Sequence, residues 1–256
     1  MNLYGRSDIG MKRKVNQDSF ATLSYADNAT LIAVCDGMGG NAGGSEASKI
    51  AVETFVSHMR DFLDTIEKKD NKIILKGENT KKALNTAVTK ANTAVYEAAK
   101  GNAELAGMGT TLVSALILDG TLYSVNVGDS RLYALSDGKL TQLTRDHSYV
   151  QYLIDLGKIS PEEARSNTHK NIITRAVGTE AEIEADINVH DIKITDKTYL
   201  LLCSDGLTNM VPEAEIEDIV ASTVPIDIKV NALVNQANNN GGSDNITVVI
   251  AESPTL

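Results

Sequence analysis

Short apolar runs that stop abruptly at an aspartate recur along this chain, and they constrain its fold more than any other feature. The runs and their flanks are Leu31–Cys35 before Asp36-Gly37, Thr121–Val127 before Gly128-Asp129-Ser130, Tyr199–Cys203 before Ser204-Asp205-Gly206, and Ile246–Ile250 after Gly242-Ser243-Asp244. Apolar runs of this length, bounded by turn residues, are typical of buried strands. Each aspartate is therefore expected at a strand end, where the scaffold holds it and a cleft can expose it.

Two longer segments have helical periodicity instead. Ser45 is a predicted N-cap, and the apolar residues that follow it, as far as Phe62, fall on one stripe. A second apolar face runs from about Asn79 to Lys100 and is ended by Gly101. We predict two helices here, with the polar segment 68–79 between them as a loop.

Antiparallel strands and further helices are predicted downstream. Thr111–Leu118 and Thr121–Val127 are separated by Asp119-Gly120, a strong hairpin signal. Helical patterns return at Pro212–Ser222 and Ile226–Asn239. Helices, then antiparallel strands, then helices indicate a layered α+β fold rather than a parallel βαβ sheet.

The chain has no low-complexity linker and no repeat, so residues 1–256 are predicted to form one domain. Between Asp146 and Gly178 the periodicity is weak, although Ser160-Pro161-Glu162-Glu163 has the pattern of a helix start. We interpret about 149–171 as a mobile flap.

Charge and cysteine content limit the classes of binding partner and the cellular compartment that are expected. The formal net charge of −10 argues against nucleic acid and anionic membranes as partners. No apolar stretch reaches the roughly 20 residues of a membrane span, and the amino terminus has no signal core. Cys35 and Cys203 lie inside apolar runs without metal-site spacing, so buried, reduced thiols are expected. These features predict a cytoplasmic protein, which we expect to be a monomer.

Any single aspartate of the pattern is most simply a turn residue. Together with Asp18, the aspartates at the strand ends favour convergence, and two carboxylates about 4 Å apart repel by several kcal/mol at an effective dielectric near 20. No Lys or Arg accompanies each one, so bound cations are the natural compensation. Oxygen ligands select Mg²⁺ or Mn²⁺ over zinc, and two such ions can share a hydroxide and clamp an in-line displacement at phosphorus.

The motifs that contain these aspartates resemble the PPM-type, protein phosphatase 2C-like family, specifically its compact bacterial branch. The resemblance runs almost end to end through Gly10–Asp18, Val34–Gly40, Met108–Thr111, Asn126–Arg131, Asp146–Ser148, Ile173–Gly178, Cys203–Leu207 and Gly242–Thr247. It implies a four-layer α-β-β-α sandwich of two antiparallel sheets, with Mn²⁺ or Mg²⁺ in a channel at one end.

The resemblance also implies a role for each site residue. Asp36 would bridge two ions, with Asp205 and Asp244 completing the first site. The Gly37 carbonyl would serve the second site, and Asp18 would act at the metals directly or through a water. A third, weaker ion would contact Asp129 and share Asp205.

Arg13 would receive the substrate phosphate, because a planar fork of donors suits a phosphoryl group. Two positions depart from the pattern of animal members, which carry glutamate where this chain has Gln17 and histidine where it has Met38. Gln17 predicts weaker or water-mediated occupancy of the second metal site. Met38 cannot donate a proton to the leaving alkoxide, so the general acid is open.

We therefore predict hydrolysis of phosphoserine and phosphothreonine on proteins by a hydroxide that bridges the two ions, with a serine/threonine kinase as the physiological opponent. The alternative is a catalytically silent domain that binds a phosphoprotein or a kinase. Such a domain would be expected to have lost metal aspartates, whereas this chain has all five of them. A two-metal nuclease conflicts with the acidic charge. A related enzyme for small phosphoesters stays open.

Overall fold

The predicted apolar runs form strands in the computed structural model, which describes residues 1–75, 79–192, 194 and 198–253. In chain order the strands are β1 (Asn2–Asp8), β2 (Asp18–Ala26), β3 (Ala29–Met38), β4 (Lys68–Lys69), β5 (Lys72–Ile73), β6 (Gly109–Thr110), β7 (Leu112–Leu118), β8 (Thr121–Val127), β9 (Arg131–Ser136), β10 (Lys139–Gln142), β11 (Asp186–His190), β12 (Tyr199–Cys203) and β13 (Ile246–Glu252). The helices are α1 (Gly40–Asp64), α2 (Thr80–Gly101), α3 (Tyr149–Asp155), α4 (Pro161–Ser166), α5 (Asp205–Thr208), α6 (Glu213–Ala221) and α7 (Ile226–Asn239), with a 3₁₀ turn at Ala103–Leu105.

Two antiparallel sheets make up the body of the molecule. One has the strand order β1-β13-β12-β9-β10, and the other has the order β11-β8-β7-β3-β2, with β6 paired to β3. The β7–β8 hairpin turns at Asp119-Gly120, where both residues have positive φ, as the sequence predicted. The central strands of both sheets are buried on both faces, which explains why they are continuous apolar runs.

Alternation along the central strands produces four layers. Leu31 and Ala33 of β3 pack against α1 and α2, whereas Ile32 and Val34 face the other sheet. In β12, Leu201 packs towards α6 and α7, while its neighbours face the space between the sheets. The order helix, sheet, sheet, helix confirms the predicted α-β-β-α sandwich.

The start of α1 differs from the prediction. The helix begins at Gly40, not after Ser45, and Gly39 precedes it with φ 117°. The glycine-rich segment can be helical because it packs closely on the strand end: a Cβ at Gly37 would overlap the carbonyl oxygen of Gly44. Tertiary contact therefore overrides the weak intrinsic helix propensity of glycine. The helix continues to Asp64, past Phe62, the last residue of the predicted apolar stripe.

The other helix predictions agree closely. Asn79 caps α2 by accepting a hydrogen bond from the Lys82 N–H, and Ser160 caps α4 in a complete capping box. The segment 68–79 contains the short β4–β5 pair in addition to loop, and residues 76–78 of that prediction lie outside the described residues.

Strands β1, β2 and β11 are not apparent from the sequence, and their position explains this. Each lies at an edge of its sheet, so each is only partly buried and its residues are mixed in polarity. Both cysteines are buried free thiols, as predicted, and burial raises the pKa of the Cys203 thiol to about 12. No helix in the described part of the chain is long and apolar enough to cross a bilayer.

Candidate metal centre

Four strand-end aspartates converge on one cavity, as the sequence pattern predicted. Asp36 comes from the end of β3, Asp129 from the turn after β8, Asp205 from the start of α5 after β12, and Asp244 from the turn before β13. The cavity has a volume of about 410 Å³, and its lining also includes Arg13, Gln17, Gly37, Met38 and Thr111. Each sheet contributes carboxylates, so the centre lies where the two sheets meet at one end of the sandwich.

The Asp36 carboxylate is repelled by the other carboxylates of the group. Burial raises its carboxyl pKa well above the usual range, and the negative charges of the other strand-end aspartates and of Asp18 raise it further. Its backbone is fixed from the neighbouring segment: the Asp36 N–H donates to the Thr111 hydroxyl at 2.9 Å, and the Thr110 hydroxyl donates to the Asp36 carbonyl at 2.9 Å. The fold therefore holds this charge in place rather than letting it turn away.

The Asp205 carboxylate, which comes from the other sheet, is also repelled by a neighbouring carboxylate. Burial and the charge of Asp244 raise its pKa, whereas a hydrogen bond with Asp36 and the positive charges of Lys170 and Arg13 lower it. One carboxylate oxygen, Oδ2, accepts a hydrogen bond from the Asn209 amide at 2.8 Å. Across the described residues, the buried Oδ1 has no hydrogen-bond partner.

Asp129 is 9% exposed and faces the same carboxylates from the turn after β8. Burial raises its pKa well above the usual range, and the charges of Asp205 and Asp146 add to this rise. The turn is kept tight by Gly128, at φ 107°, which packs against Thr111.

Asp18 lies behind this group, opposite Asp36 in the β2–β3 register. It does not line the metal cavity; it lines a separate space of about 630 Å³ between β2 and α1. Burial raises its pKa to about 7, although hydrogen bonds from the Thr247 and Ser204 hydroxyls, at 2.7 and 2.8 Å, lower it. In the described structure its buried Oδ1 accepts no hydrogen bond.

Arg13 stands on the rim of the cavity, half of its side chain exposed. Its Nη2 donates to Asp244 Oδ2 at 2.7 Å, so a cation and a predicted ligand already face one another across the opening. The exposed position leaves the guanidinium accessible to an incoming anion.

Asn245 positions the segment that carries Arg13, a role that sequence reasoning did not assign. Its Nδ2 donates to the carbonyls of Ile9 and Val15, both at 3.0 Å, and its Oδ1 accepts from the Gln17 N–H at 2.9 Å. One buried amide thus fixes both ends of the loop around Arg13. The only sequence signal for it was its place in the motif after Asp244.

The two positions that depart from the animal members of the family both line the cavity. The Met38 side chain lines it and brings no proton donor to that position. Gln17 also lines it, but its Nε2 donates to the Gly40 carbonyl at 2.7 Å, which ties it to the start of α1. Weaker occupancy of the second metal site, expected from Gln17, stays a prediction.

The donor set fits hard divalent cations. Four carboxylates line the cavity, the buried Asp205 Oδ1 lacks a hydrogen-bond partner among the described residues, and burial and mutual repulsion raise the pKa values of Asp36, Asp129 and Asp205. Cations placed among these carboxylates would give the Asp205 oxygen a partner and relieve the repulsion. In the described ranges, no group of three or more His, Cys, Asp or Glu side chains is positioned to hold a metal ion as it stands, so the assignment depends on donor chemistry and electrostatics.

A neutralised carboxylate lies beside the unpaired ones. Arg131 donates to both oxygens of Asp146, at 2.7–3.0 Å, and also to the Glu213 carboxylate and the Tyr133 hydroxyl. His147, next in the chain, accepts from the Gly128 N–H through Nδ1 at 3.2 Å, and its Nε2 lies 3.2 Å from Asp186. His147 therefore fixes the turn before Asp129 rather than lining the metal cavity.

Comparisons with known proteins agree with this geometry. Residues 5–238 match the family model described as "Protein phosphatase 2C". The chain is 40% identical to the serine/threonine phosphatase Stp of Listeria welshimeri, over 96% of this chain and 94% of that protein, and 38% identical to the protein phosphatase PhpP of Streptococcus pneumoniae, over 95% and 94%. It superposes with a TM-score of 0.82 on the catalytic domain of the phosphatase PstP in complex with two manganese ions, at 34% identity, covering 98% of this chain and 97% of that one.

Proposed function

The chain belongs to the protein phosphatase 2C family and is a serine/threonine protein phosphatase, and from this premise we propose how its own residues perform the reaction. The observation that carries the proposal is the convergence of Asp36, Asp129, Asp205 and Asp244 on one cavity with Arg13 at its rim. Four carboxylates repel a phosphate ester unless cations intervene, so this cavity is suited to the reaction only with metal bound.

Divalent cations are the cofactors of the reaction. Asp36 would hold both of two ions, Asp205 and Asp244 would complete the first site, and the Gly37 carbonyl would serve the second. Asp18 would act at the ions directly or through water, and Asp129 with Asp205 would hold a third, weaker ion. When bound, Mn²⁺ or Mg²⁺ supplies water activation and neutralises charge on the phosphoryl group.

Arg13 binds and orients the substrate phosphate. Its guanidinium occupies the mouth of the cavity, and its partner Asp244 is itself an assigned metal ligand. When cations compensate Asp244, the guanidinium is free to donate to phosphoryl oxygens in the planar geometry that suits them. Asn245 maintains this arrangement by holding the loop at both ends.

Proton delivery to the leaving alkoxide does not come from residue 38, since methionine has no proton to give. The reaction at a serine or threonine ester, with its poor leaving group, is therefore proposed to depend on water in the cavity for this proton. An aryl phosphate ester, whose leaving group needs no acid, should depend on it less.

Partners and location follow from the family and from charge. Phosphorylated proteins are the substrates. We also propose that a serine/threonine kinase produces them, that the enzyme is a cytoplasmic monomer, and that it binds neither nucleic acid nor membranes, in line with the net charge of −10. The segment 149–171, which contains α3 and α4, is proposed as a flap that shapes access to the cavity.

The test is hydrolysis of a phosphothreonine peptide and of p-nitrophenyl phosphate with Mn²⁺, Mg²⁺ or EDTA, for wild type and Asp36→Ala. Turnover of both substrates that requires metal and is lost in the variant is the expected result. Activity on the aryl ester alone would remove the protein-substrate assignment. A folded chain without turnover under any condition would favour the silent binding domain instead.

A further inference from the structure

A second cavity, of about 330 Å³, adjoins the metal centre. Asp129 and Asp205 line both cavities, whereas Lys170 lines the second and the next residue, Asn171, lines the first. The backbone at 170–171 therefore lies between the two spaces, and a substrate bound at the metal centre has a neighbouring space within reach.

Some positively charged side chains of this second cavity have carboxylate partners and others do not. Arg131 is already paired, because its guanidinium donates to Asp146, Glu213 and Tyr133. Arg165 and Lys170, which approach from the segment around α4, form no ion pair with any carboxylate of the described residues. Two positive charges on this wall are thus available to a ligand.

Lys170 is the more constrained of the two. It is half-buried, and it lines the second cavity together with Asp205, which also lines the metal centre. A half-buried ammonium without a carboxylate partner favours an anion that enters the cavity. Asp205 cannot serve as that anion in the working enzyme, where its charge is used to bind metal.

The partner of Lys170 is also distinct from the phosphate being hydrolysed. That phosphate is assigned to the ions and to Arg13, whose side chain lines the first cavity and not the second. A space of this volume, at the lower end of ligand pockets, accommodates one side chain of the substrate. Of the four carboxylates in its lining, Asp146 and Glu213 are paired with Arg131, and Asp129 and Asp205 are assigned to metal. The remaining charges, on Lys170 and Arg165, favour a negative side chain.

We propose that the second cavity is a subsite for an additional anionic side chain of the substrate, a carboxylate or a second phosphate, close in sequence to the phosphoresidue that is hydrolysed. Lys170 is the specificity-determining residue, and Arg165 is a second contact. This inference depends on the proposed function, since it names the substrate class of the same site.

The experiment uses phosphothreonine peptides with glutamine at the four positions nearest the phosphothreonine, and variants in which one of the four is glutamate. Wild type should hydrolyse at least one glutamate peptide with about five- to tenfold higher kcat/KM than the glutamine reference, the size expected of one partly solvated charged contact. In Lys170→Gln that ratio should fall to about one. The ratio within each enzyme is the readout, so a general change in activity or folding cancels.

Lys158→Gln is the matched control, because Lys158 is an exposed lysine of the same segment that lines neither cavity. It should keep the wild-type ratio, and Arg165→Gln should reduce the ratio less than Lys170→Gln does. A third peptide series, with a non-hydrolysable phosphonate in place of glutamate, separates the sources: a larger gain than with glutamate identifies a second phosphate, and an equal or smaller gain identifies a carboxylate.

Two results would overturn the subsite: no preference for any anionic peptide in wild type, or a preference that survives in Lys170→Gln. Either can occur while the reference peptide is still hydrolysed in a metal-dependent manner. Loss of the subsite is thereby distinguished from failure of the proposed function, in which no peptide would be turned over.

Discussion

Two groups of aspartates, one of a single residue and one of three, lie side by side at one end of this molecule, and their charges are compensated in opposite ways. Asp146 has a dedicated cation, since Arg131 contacts both of its oxygens. Asp36, Asp129 and Asp205 face one another instead, and their pKa values are raised. The first group completes its charge balance within the protein and the second does not.

This difference indicates which carboxylates gain free energy when cations bind. A paired aspartate stabilises the fold and gains nothing from a ligand, whereas mutually repelling aspartates lower the stability of the metal-free protein and gain when cations arrive. Burial alone therefore does not identify the functional carboxylates. The absence of a partnering cation separates most of them: of the described carboxylates assigned to metal, Asp18, Asp36, Asp129 and Asp205 have no ion pair, and Asp244 is paired with Arg13 at the rim.

The largest expected effect comes from the unpaired group. Asp36→Asn should lower kcat/KM by about 10³-fold or more with saturating Mn²⁺, because it removes the ligand assigned to both ions. In EDTA the same substitution should leave the melting temperature equal to or above that of wild type, since it removes a repelling charge. Peptide hydrolysis and thermal unfolding measure both. Unchanged activity would end the distinction between the two groups.

Removing the cation that pairs with Asp146 should affect stability more than activity. Arg131→Met leaves the Asp146 carboxylate, 9% exposed, without its cation and should lower the free energy of unfolding by about 3 kcal/mol. Urea denaturation in EDTA measures this. Arg131→Met with Asp146→Asn should recover part of the loss, and no recovery would contradict the pairing as its cause.

Asn245→Ala tests the scaffold of the unpaired group. Without three hydrogen bonds to the loop of Arg13, kcat/KM should fall about 10- to 100-fold, since small displacements of a positioned group have effects of this size. Unfolding free energy should fall by about 1–3 kcal/mol. Asn231→Ala removes a contact with Arg6 away from the site and is the control. Equal activity losses in the two variants would contradict the positioning role.

The last predicted effect is a pH dependence of stability in the metal-free protein. The pKa of Asp18 is raised from 3.8 to about 7, so its folded-state contribution is complete below pH 3.8 and is lost as the pH rises towards 7. Between pH 4.5 and 7.5 in EDTA, the melting temperature of wild type should therefore fall relative to that of Asp18→Asn. Saturating Mn²⁺ should abolish this relative fall. Parallel curves in EDTA would contradict an uncompensated Asp18.

The sequence predicted convergence of the aspartates because each stands at the end of a buried strand, where periodicity and turn residues are both informative. It did not predict that Asp146 pairs with Arg131 or that Asn245 organises the Arg13 loop, since these contacts depend on register and on elements distant in the chain. Edge strands β1 and β11 were not predicted because their residues are mixed in polarity. The early start of α1 was not predicted because a close backbone contact, not helix propensity, determines it.

The most direct test of the central claim, that the unpaired aspartates hold the catalytic cations, is calorimetric titration of the metal-free protein with Mn²⁺ at neutral pH, for wild type, Asp36→Asn and Asp146→Asn. We predict at least two ions per chain in wild type and in Asp146→Asn, and one or none in Asp36→Asn. The same stoichiometry in wild type and Asp36→Asn, or no Mn²⁺ bound by folded wild type, would contradict the account.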